Sequence, residues 1–173
     1  MRVVQCEYSR HAKPILEIFN DAIANSTALY DYKLRTPDMM AGWFDAKTKG
    51  KFPVIGIENE AGELMGFASY GTFRAWPAYK YSVEHSVYVD ARSRGQGIGK
   101  CLLQEIIASA KAQNYHIIVG GIDAANSVSI YLHKKLGFTF CGTIQQAGFK
   151  FGQWLDLSFY QLILPTPHNP ADG

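Results

Sequence analysis

The stretch Ser86-Val87-Tyr88-Val89-Asp90-Ala91-Arg92-Ser93-Arg94-Gly95-Gln96-Gly97-Ile98-Gly99-Lys100-Cys101-Leu102-Leu103 changes character twice. Val87, Tyr88 and Val89 are strand formers. The residues after them are polar, and Ile98, Leu102, Ile106 and Ala110 then fall at spacings that line one face of a helix. Gly95, Gly97 and Gly99 alternate at the joint, behind Arg92 and Arg94. A strand that passes through glycines into a helix presents unsatisfied backbone N–H groups and the positive end of a dipole, which suits a phosphate. Side chains at those positions would block a diphosphate, so glycine is what such a ligand needs. A P-loop, G-x-x-x-x-G-K-S/T, fails because Arg94 stands where its first glycine belongs and Cys101 follows Lys100. The dinucleotide fingerprint G-x-G-x-x-G fails in both registers, ending on Lys100 or on Leu102.

Composition narrows the remaining classes. With 173 residues, 47% of them apolar and 18% charged, the chain reads as one globular domain over residues 1–164. A polar, proline-bearing tail, 165–173, is expected to be mobile. The formal charge of +2 and the lack of a basic run with interleaved aromatics argue against nucleic acid. No apolar run approaches a membrane span, and the N-terminus lacks a signal-peptide pattern. Cys6, Cys101 and Cys141 form no C-x-x-C and read as reduced thiols, so a cytoplasmic setting is expected. The five histidines show no metal-ligand spacing, and no metal site is expected.

Along the chain, Val3 to Cys6 reads as a short strand and Ser9 to Ala24 as a helix with Ile15, Ile18, Phe19, Ala22 and Ile23 on its buried stripe. Thr36-Pro37 opens a second helix that Gly50 closes. Phe52–Glu58 and Glu63–Thr72 read as a hairpin around Gly62. An aromatic connection, 73–81, leads into the strand Ser82–Val89. Ile117 to Gly121 is a strand buried on both faces, and Asn126 or Ser127 caps a helix that Gly137 ends. Phe138–Gly142 and Gln153–Leu164 are the closing strands.

Arg94, Gly97 and Gly99 meet the pattern of arginine or glutamine, glycine three residues on, and a small residue two further on. That joint resembles the acetyl-CoA pyrophosphate loop of the GCN5-related N-acetyltransferase (GNAT) superfamily. Asn126 and the run from Tyr131 to Phe138, with Leu136-Gly137-Phe138 at its end, are similar to that superfamily's second cofactor element. The stretches Val83 to Val89 and Gly148 to Leu157 resemble the phosphinothricin and methionine sulfoximine N-acetyltransferase branch, and the likeness covers roughly residues 2–164. It implies an α/β GNAT fold, a central mixed, mostly antiparallel sheet with helices on both faces, and acetyl-CoA as co-substrate.

Roles follow from the resemblance and from chemistry together. Backbone N–H groups across Arg94, Gly95, Gln96, Gly97, Ile98, Gly99 and Lys100 are expected to receive the diphosphate, with Asn126 and Lys135 assisting. The strand backbone at Val87, Tyr88 and Val89 is where the resemblance puts the pantetheine arm and the donor that polarises the thioester. Glu84 is the implied general base; a carboxylate in a partly closed pocket has its pKa raised towards the working range. His85 is the competing base, although neighbouring strand residues face opposite sides. His133 stands where many members carry a tyrosine that protonates the leaving thiol. Arg74, Ala75 and Trp76 are the substrate-contacting stretch, an arginine fork being matched to a carboxylate. Tyr30 and Phe149 could line the same pocket or a dimer contact.

The expected function is transfer of acetyl to the α-amino group of phosphinothricin, methionine sulfoximine or methionine sulfone, by direct attack in a ternary complex. Alternatives are an acetyltransferase for a polyamine or a protein, or an acyl-CoA-binding regulator without catalysis. A small-molecule amine and a second copy of the chain are the expected partners.

Overall fold

The computed structural model describes residues 1–172. In order, the elements are β1 (Arg2–Gln5), α1 (Tyr8–Asn25), α2 (Pro37–Lys49), β2 (Val54–Glu58), β3 (Leu64–Thr72), β4 (Ser82–Val89), α3 (Ile98–Ala112), β5 (Ile117–Asp123), α4 (Ser127–Lys135), β6 (Thr139–Lys150) and β7 (Gln153–Ile163). Seven strands follow the hydrogen-bonded order β1-β2-β3-β4-β5-β7-β6. The β1/β2, β2/β3, β5/β7 and β6/β7 pairs are antiparallel, and β4/β5 is parallel. This is the mixed, mostly antiparallel α/β sheet expected. The chain forms two compact units, Met1–Gly71 with Ser86–Ile106, and Thr72–His85 with the chain from Ile107 on.

In the first unit α1 buries the stripe read from its spacing, Ile15, Ile18, Phe19, Ala22 and Ile23, together with His11. Phe19 is the hub. Its ring meets Phe67 at 5.0 Å, Tyr88 at 5.2 Å and Trp43 at 5.5 Å, all edge-on. Burying each such ring is worth about 1.5–3 kcal/mol, with edge-to-face geometry adding to it. β2 is buried along its whole length, and its last residue, Glu58, is a carboxylate. Arg2 and Arg10 each reach Glu58 at 2.6 Å and His11 at 3.2 Å. The hydrogen bond from Arg2 leads the causes that hold this carboxyl below its ordinary pKa. Pro37 sits at the start of α2 and Gly50 at its end, as the sequence signals require.

In the second unit β5 lies against β7 over seven paired positions, from Ile117↔Ile163 to Asp123↔Leu157. β6 departs from expectation, continuing through Gly142 to Lys150. Gly142 (φ 147°) and Gln146 (φ 53°) have backbones outside the regular strand region. The strand absorbs them as irregularities between Phe140 and Gly142 and between Ile144 and Gly148. Phe151 (φ 52°) and Gly152 (φ 75°) then turn the hairpin with two left-handed residues in succession.

The tail expected to be mobile is tied to this unit. Thr166 donates its hydroxyl to the Tyr115 carbonyl at 2.6 Å, His116 Nδ1 meets the Thr166 carbonyl at 2.8 Å, and the Ala171 N–H reaches the Tyr81 hydroxyl at 3.1 Å. Gly173, the end of that expectation, lies outside the described residues. No helix among the described residues is long and apolar enough to cross a membrane.

Candidate active site

The glycine joint belongs to the first unit. Asp90 follows β4 and accepts the Arg92 N–H at 2.9 Å, starting a short turn over Ala91–Ser93. Gly95 and Gly97 follow with φ of 78° and 81°, in the left-handed region where a side chain is strained, and a Cβ at either would meet nothing within 4 Å. These two glycines therefore serve a backbone shape and leave the space beside it open. α3 begins at Ile98, whose side chain is 2% exposed. Its core anchor leaves only its backbone to face a ligand. Cys101 donates its N–H to the Gly97 carbonyl at 3.1 Å, so the N–H groups just before it have no intrahelical acceptor. Gly99 and Lys100 lie in this first turn. Gln96 folds back onto the Arg92 carbonyl at 3.3 Å.

Both arginines at the joint are engaged by carboxylates. Arg92 forks onto Asp90 at 3.0 Å through Nε and Nη2, and Arg94 reaches Asp21 of α1 at 2.9 Å. In the same unit, the Tyr88 ring packs into the aromatic core, so Tyr88 has only its backbone left for the role expected of this strand.

The titratable groups lie in the second unit. The β4/β5 ladder runs only from Ser82↔Ile117 to Glu84↔Val119. Glu84 and His85 follow each other at its end and point to opposite faces. Gly121 stands beneath Glu84: a Cβ there would sit 3.2 Å from Glu84 Oε1 and 3.6 Å from the Phe159 ring. Gly120 stands beneath His85, where a Cβ would come within 2.8 Å of Nε2. Each glycine of the pair makes room for one ionisable side chain, and neither was singled out from sequence. The only signal was their adjacency inside an apolar strand.

Burial raises the Glu84 pKa, and the Arg74 charge opposes it in part. His85 behaves oppositely. Burial and then the charge of His133 lower its pKa to about 3. The two imidazoles stack at 5.0 Å and 17°, with Nε2 atoms 3.1 Å apart, and Phe138 abuts both. His133 Nδ1 lies 2.7 Å from the Ser129 carbonyl and so carries the hydrogen. Its Nε2 then accepts from His85 Nε2–H, which leaves His85 Nδ1 as a bare, buried acceptor without a partner among the described residues. Both His133 nitrogens are thus engaged, and burial lowers its pKa.

The other expected residues are distributed as follows. Asn126 caps α4 by accepting the Ser129 N–H at 3.0 Å. Lys135 lies in the last turn of α4, its ammonium 5.6 Å from the Tyr131 ring centre. Arg74 lies over the Phe73 ring at 4.9 Å, Ala75 is exposed, and Trp76 is 69% exposed with its ring edge-on to Tyr79. Trp76 is therefore no core residue. Phe149 packs on Trp154 across the β6–β7 hairpin, whereas Tyr30 belongs to the first unit. On the Glu84 face a cavity of about 460 Å³ opens over β5, β7 and β6, with Ser82, Val119, Ile144 and Phe159 among its walls. Among the described residues no group of three or more His, Cys, Asp or Glu is placed to hold a metal ion.

With this geometry in hand, known proteins supply a context. A model of the acetyltransferase (GNAT) domain matches residues 9–158. The L-methionine sulfoximine/L-methionine sulfone acetyltransferase of Pseudomonas paraeruginosa PA7 is 45% identical over 90% of this chain and 91% of its own. The phosphinothricin N-acetyltransferase of Streptomyces viridochromogenes is 34% identical over 91% of this chain and 86% of its own. A solved GNAT phosphinothricin acetyltransferase from Sinorhizobium meliloti, in complex with acetyl-CoA, superposes with a TM-score of 0.93. It is 31% identical, and the match covers 98% of this chain and 91% of that one.

Proposed function

This chain belongs to the GNAT acetyltransferase family and is an acetyl-CoA-dependent N-acetyltransferase, and from that premise we propose that it acetylates the α-amino group of small amino acid analogues. Methionine sulfone, methionine sulfoximine and phosphinothricin, named for its relatives, are the proposed acceptors. The observation that carries the reading is Glu84: a half-buried carboxylate of raised pKa at the last β4/β5 pair, with an arginine charge at hand.

Acetyl-CoA supplies the activated acetyl group. Open, left-handed glycines at 95 and 97 and the free N–H groups at the start of α3 fit a diphosphate, so the backbone from Arg94 to Lys100 is proposed to hold it, and Asn126 and Lys135 keep the assisting role that the resemblance implies. Backbone N–H groups of Val87–Val89 are proposed to polarise the thioester carbonyl; one well-placed donor of this kind is worth about 3 kcal/mol. Glu84 takes the ammonium proton, directly or through a water, and the freed amine attacks the carbonyl carbon while the C–S bond breaks. Arg74, flanked by Ala75 and Trp76, meets the acceptor's carboxylate. His133 is the proposed proton source for the leaving thiolate, at the expense of its Nδ1 bond to Ser129.

A homodimer is proposed as the working form. Phe140, Ile144, Phe149, Phe151 and Trp154 are all exposed along one hairpin, a concentration of apolar surface that marks an interaction site. All three cysteines are free, which supports a cytoplasmic setting.

The test is release of free CoA thiol with a panel of amines. Turnover with methionine sulfone or methionine sulfoximine, and none with spermidine or a lysine peptide, is expected. Preference for the polyamine or the peptide would replace the acceptor assignment. Binding of acetyl-CoA without turnover of any amine would favour a regulator.

A further inference from the structure

Lys47 is a lysine without a counter-charge. It is half-buried near the end of α2, and its ammonium donates to the Tyr70 carbonyl of β3 at 2.8 Å. The same ammonium lies 5.5 Å from the Trp43 ring centre and 5.8 Å from that of Phe52, within reach of the attraction between a cation and an aromatic face. The elements around it supply no carboxylate among the described residues. Asp45 of α2 is taken by Lys49 at 2.6 Å, and Asp38 lies in the first turn, at the other end of that helix. Glu58 of β2 is held by Arg2 and Arg10, β3 contributes Tyr70 but no acidic residue, and the turn from α2 to β2 adds only Lys51. Burial without compensation lowers the Lys47 pKa to about 8. About a tenth of such amines are neutral at pH 7, against fewer than about one in a thousand for an ordinary lysine.

One flank of the amine is open. β3 passes from buried Tyr70 through half-buried Gly71 to exposed Thr72. A Cβ at Gly71 would meet Lys47 Nζ at 3.8 Å and, its chain neighbours apart, nothing else within 4 Å, so the glycine leaves room beside the nitrogen. A desolvated amine is an activated nucleophile, and acetyl-CoA is an electrophile that this enzyme uses. From the open flank, the carbonyl anchor and the missing counter-charge, we propose that Lys47 is an acylation site that takes acetyl directly from the thioester of acetyl-CoA. The ammonium gives one proton to solvent, and the neutral Nζ attacks the thioester carbonyl carbon. The N–C bond forms, the C–S bond breaks, the nitrogen sheds a second proton, and the thiolate takes one up from solvent. The products are Nζ-acetyl-lysine, free CoA and one net proton. This reaction is separate from transfer at Glu84 and does not depend on which amine is acetylated there. It removes the charge over the Trp43 and Phe52 rings, and Trp43 also meets Phe19 at 5.5 Å in the aromatic core.

The experiment incubates the purified protein with acetyl-CoA alone, from pH 7 to 9.5, and follows occupancy at each lysine by peptide mass spectrometry. Lys49 is the comparator: it lies two residues on, its side chain is 76% exposed, and its bond to Asp45 raises its pKa. Exposure alone favours Lys49. At pH 7 Lys47 should nevertheless be acetylated at least about tenfold faster, because it holds far more free amine. Its rate should rise with pH and level off above a pKa of about 8, whereas that of Lys49 should still be rising at pH 9.5. Glu84→Gln should modify Lys47 at the wild-type rate, since the reaction needs only the amine and the thioester. Lys47→Arg keeps the charge without a group that can be acylated, and it should keep wild-type turnover. Treatment with acetyl-CoA should lower the Tm of the wild type and leave that of Lys47→Arg in place. Occupancy at Lys47 no higher than at Lys49 overturns the proposal. Loss of Lys47 acetylation in Glu84→Gln overturns it too, because the modification would then be a product of the active site of another copy.

Discussion

Glu84 and His85 are neighbours in sequence whose charges are pushed in opposite directions by the same cause. Burial disfavours the charged form of each, so the carboxylate titrates higher than usual and the imidazole titrates near pH 3. Only ionised Glu84 can act as base, so kcat should decline as pH falls through a pKa above the ordinary carboxylate range. Glu84→Gln should lower kcat by about 10²–10⁴-fold, with part of the loss recovered at high pH, where more amine arrives neutral; pH–rate profiles of both enzymes check this. His85 affects stability instead. In the unfolded chain it protonates near pH 6.5 and in the folded chain only near pH 3, so between those values the unfolded state holds more protons. Stability therefore drops as pH falls through that window, by about 1.4 kcal/mol per pH unit from this group. Urea titrations from pH 4 to 7 should show a shallower acid slope for His85→Phe, even though it leaves His133 Nε2 unpaired and is less stable at pH 7.

At the scale of elements, β5 is shaped by its two adjacent glycines. Gly121→Ala would press a methyl group to 3.2 Å from the Glu84 carboxylate, a contact a side-chain end can relieve by moving. It should cut kcat while leaving Tm and KM for acetyl-CoA near wild type. Gly120→Ala meets the His85 ring at 2.8 Å, a ring held between Phe138 and His133. That variant should lose about 1–3 kcal/mol of stability, read by thermal melts. The glycine joint and α1 were legible in the sequence because glycine spacing and helical periodicity are local signals. The roles of Gly120 and Gly121 were not, because they are defined by side chains 35 or more positions away. The length of β6 beyond Gly142 has a related reason: pairing with β7, which no local signal conveys, carries the strand on to Lys150.

For the whole molecule, the resemblance conveyed the fold class and the family, whereas the division into two compact units has no local sign, since each unit draws on two separate stretches. Within the proline-bearing tail, Thr166 is 7% exposed and bonded to Tyr115, a contact between residues 51 positions apart that composition does not signal. The exposed apolar hairpin leads to a prediction at this scale. Trp154→Arg places a charge on a side chain that is 60% exposed, so the fold should tolerate it. Sedimentation velocity should then show the proposed dimer shifted to monomer; an unchanged dimer would place its interface elsewhere.

The pairing of Arg92 with Asp90 and of Arg94 with Asp21 has a consequence for discrimination among anions. A joint with two bare guanidinium groups would attract any polyanion, nucleic acid included. Here each arginine already has an internal counterion, so an incoming phosphate gains charge attraction only by displacing a carboxylate of the chain itself. Polyelectrolytes that offer charge alone have little to win by that exchange. A diphosphate that can also settle into the row of N–H groups at the start of α3 does, so recognition rests on the shape of the backbone more than on the number of positive charges.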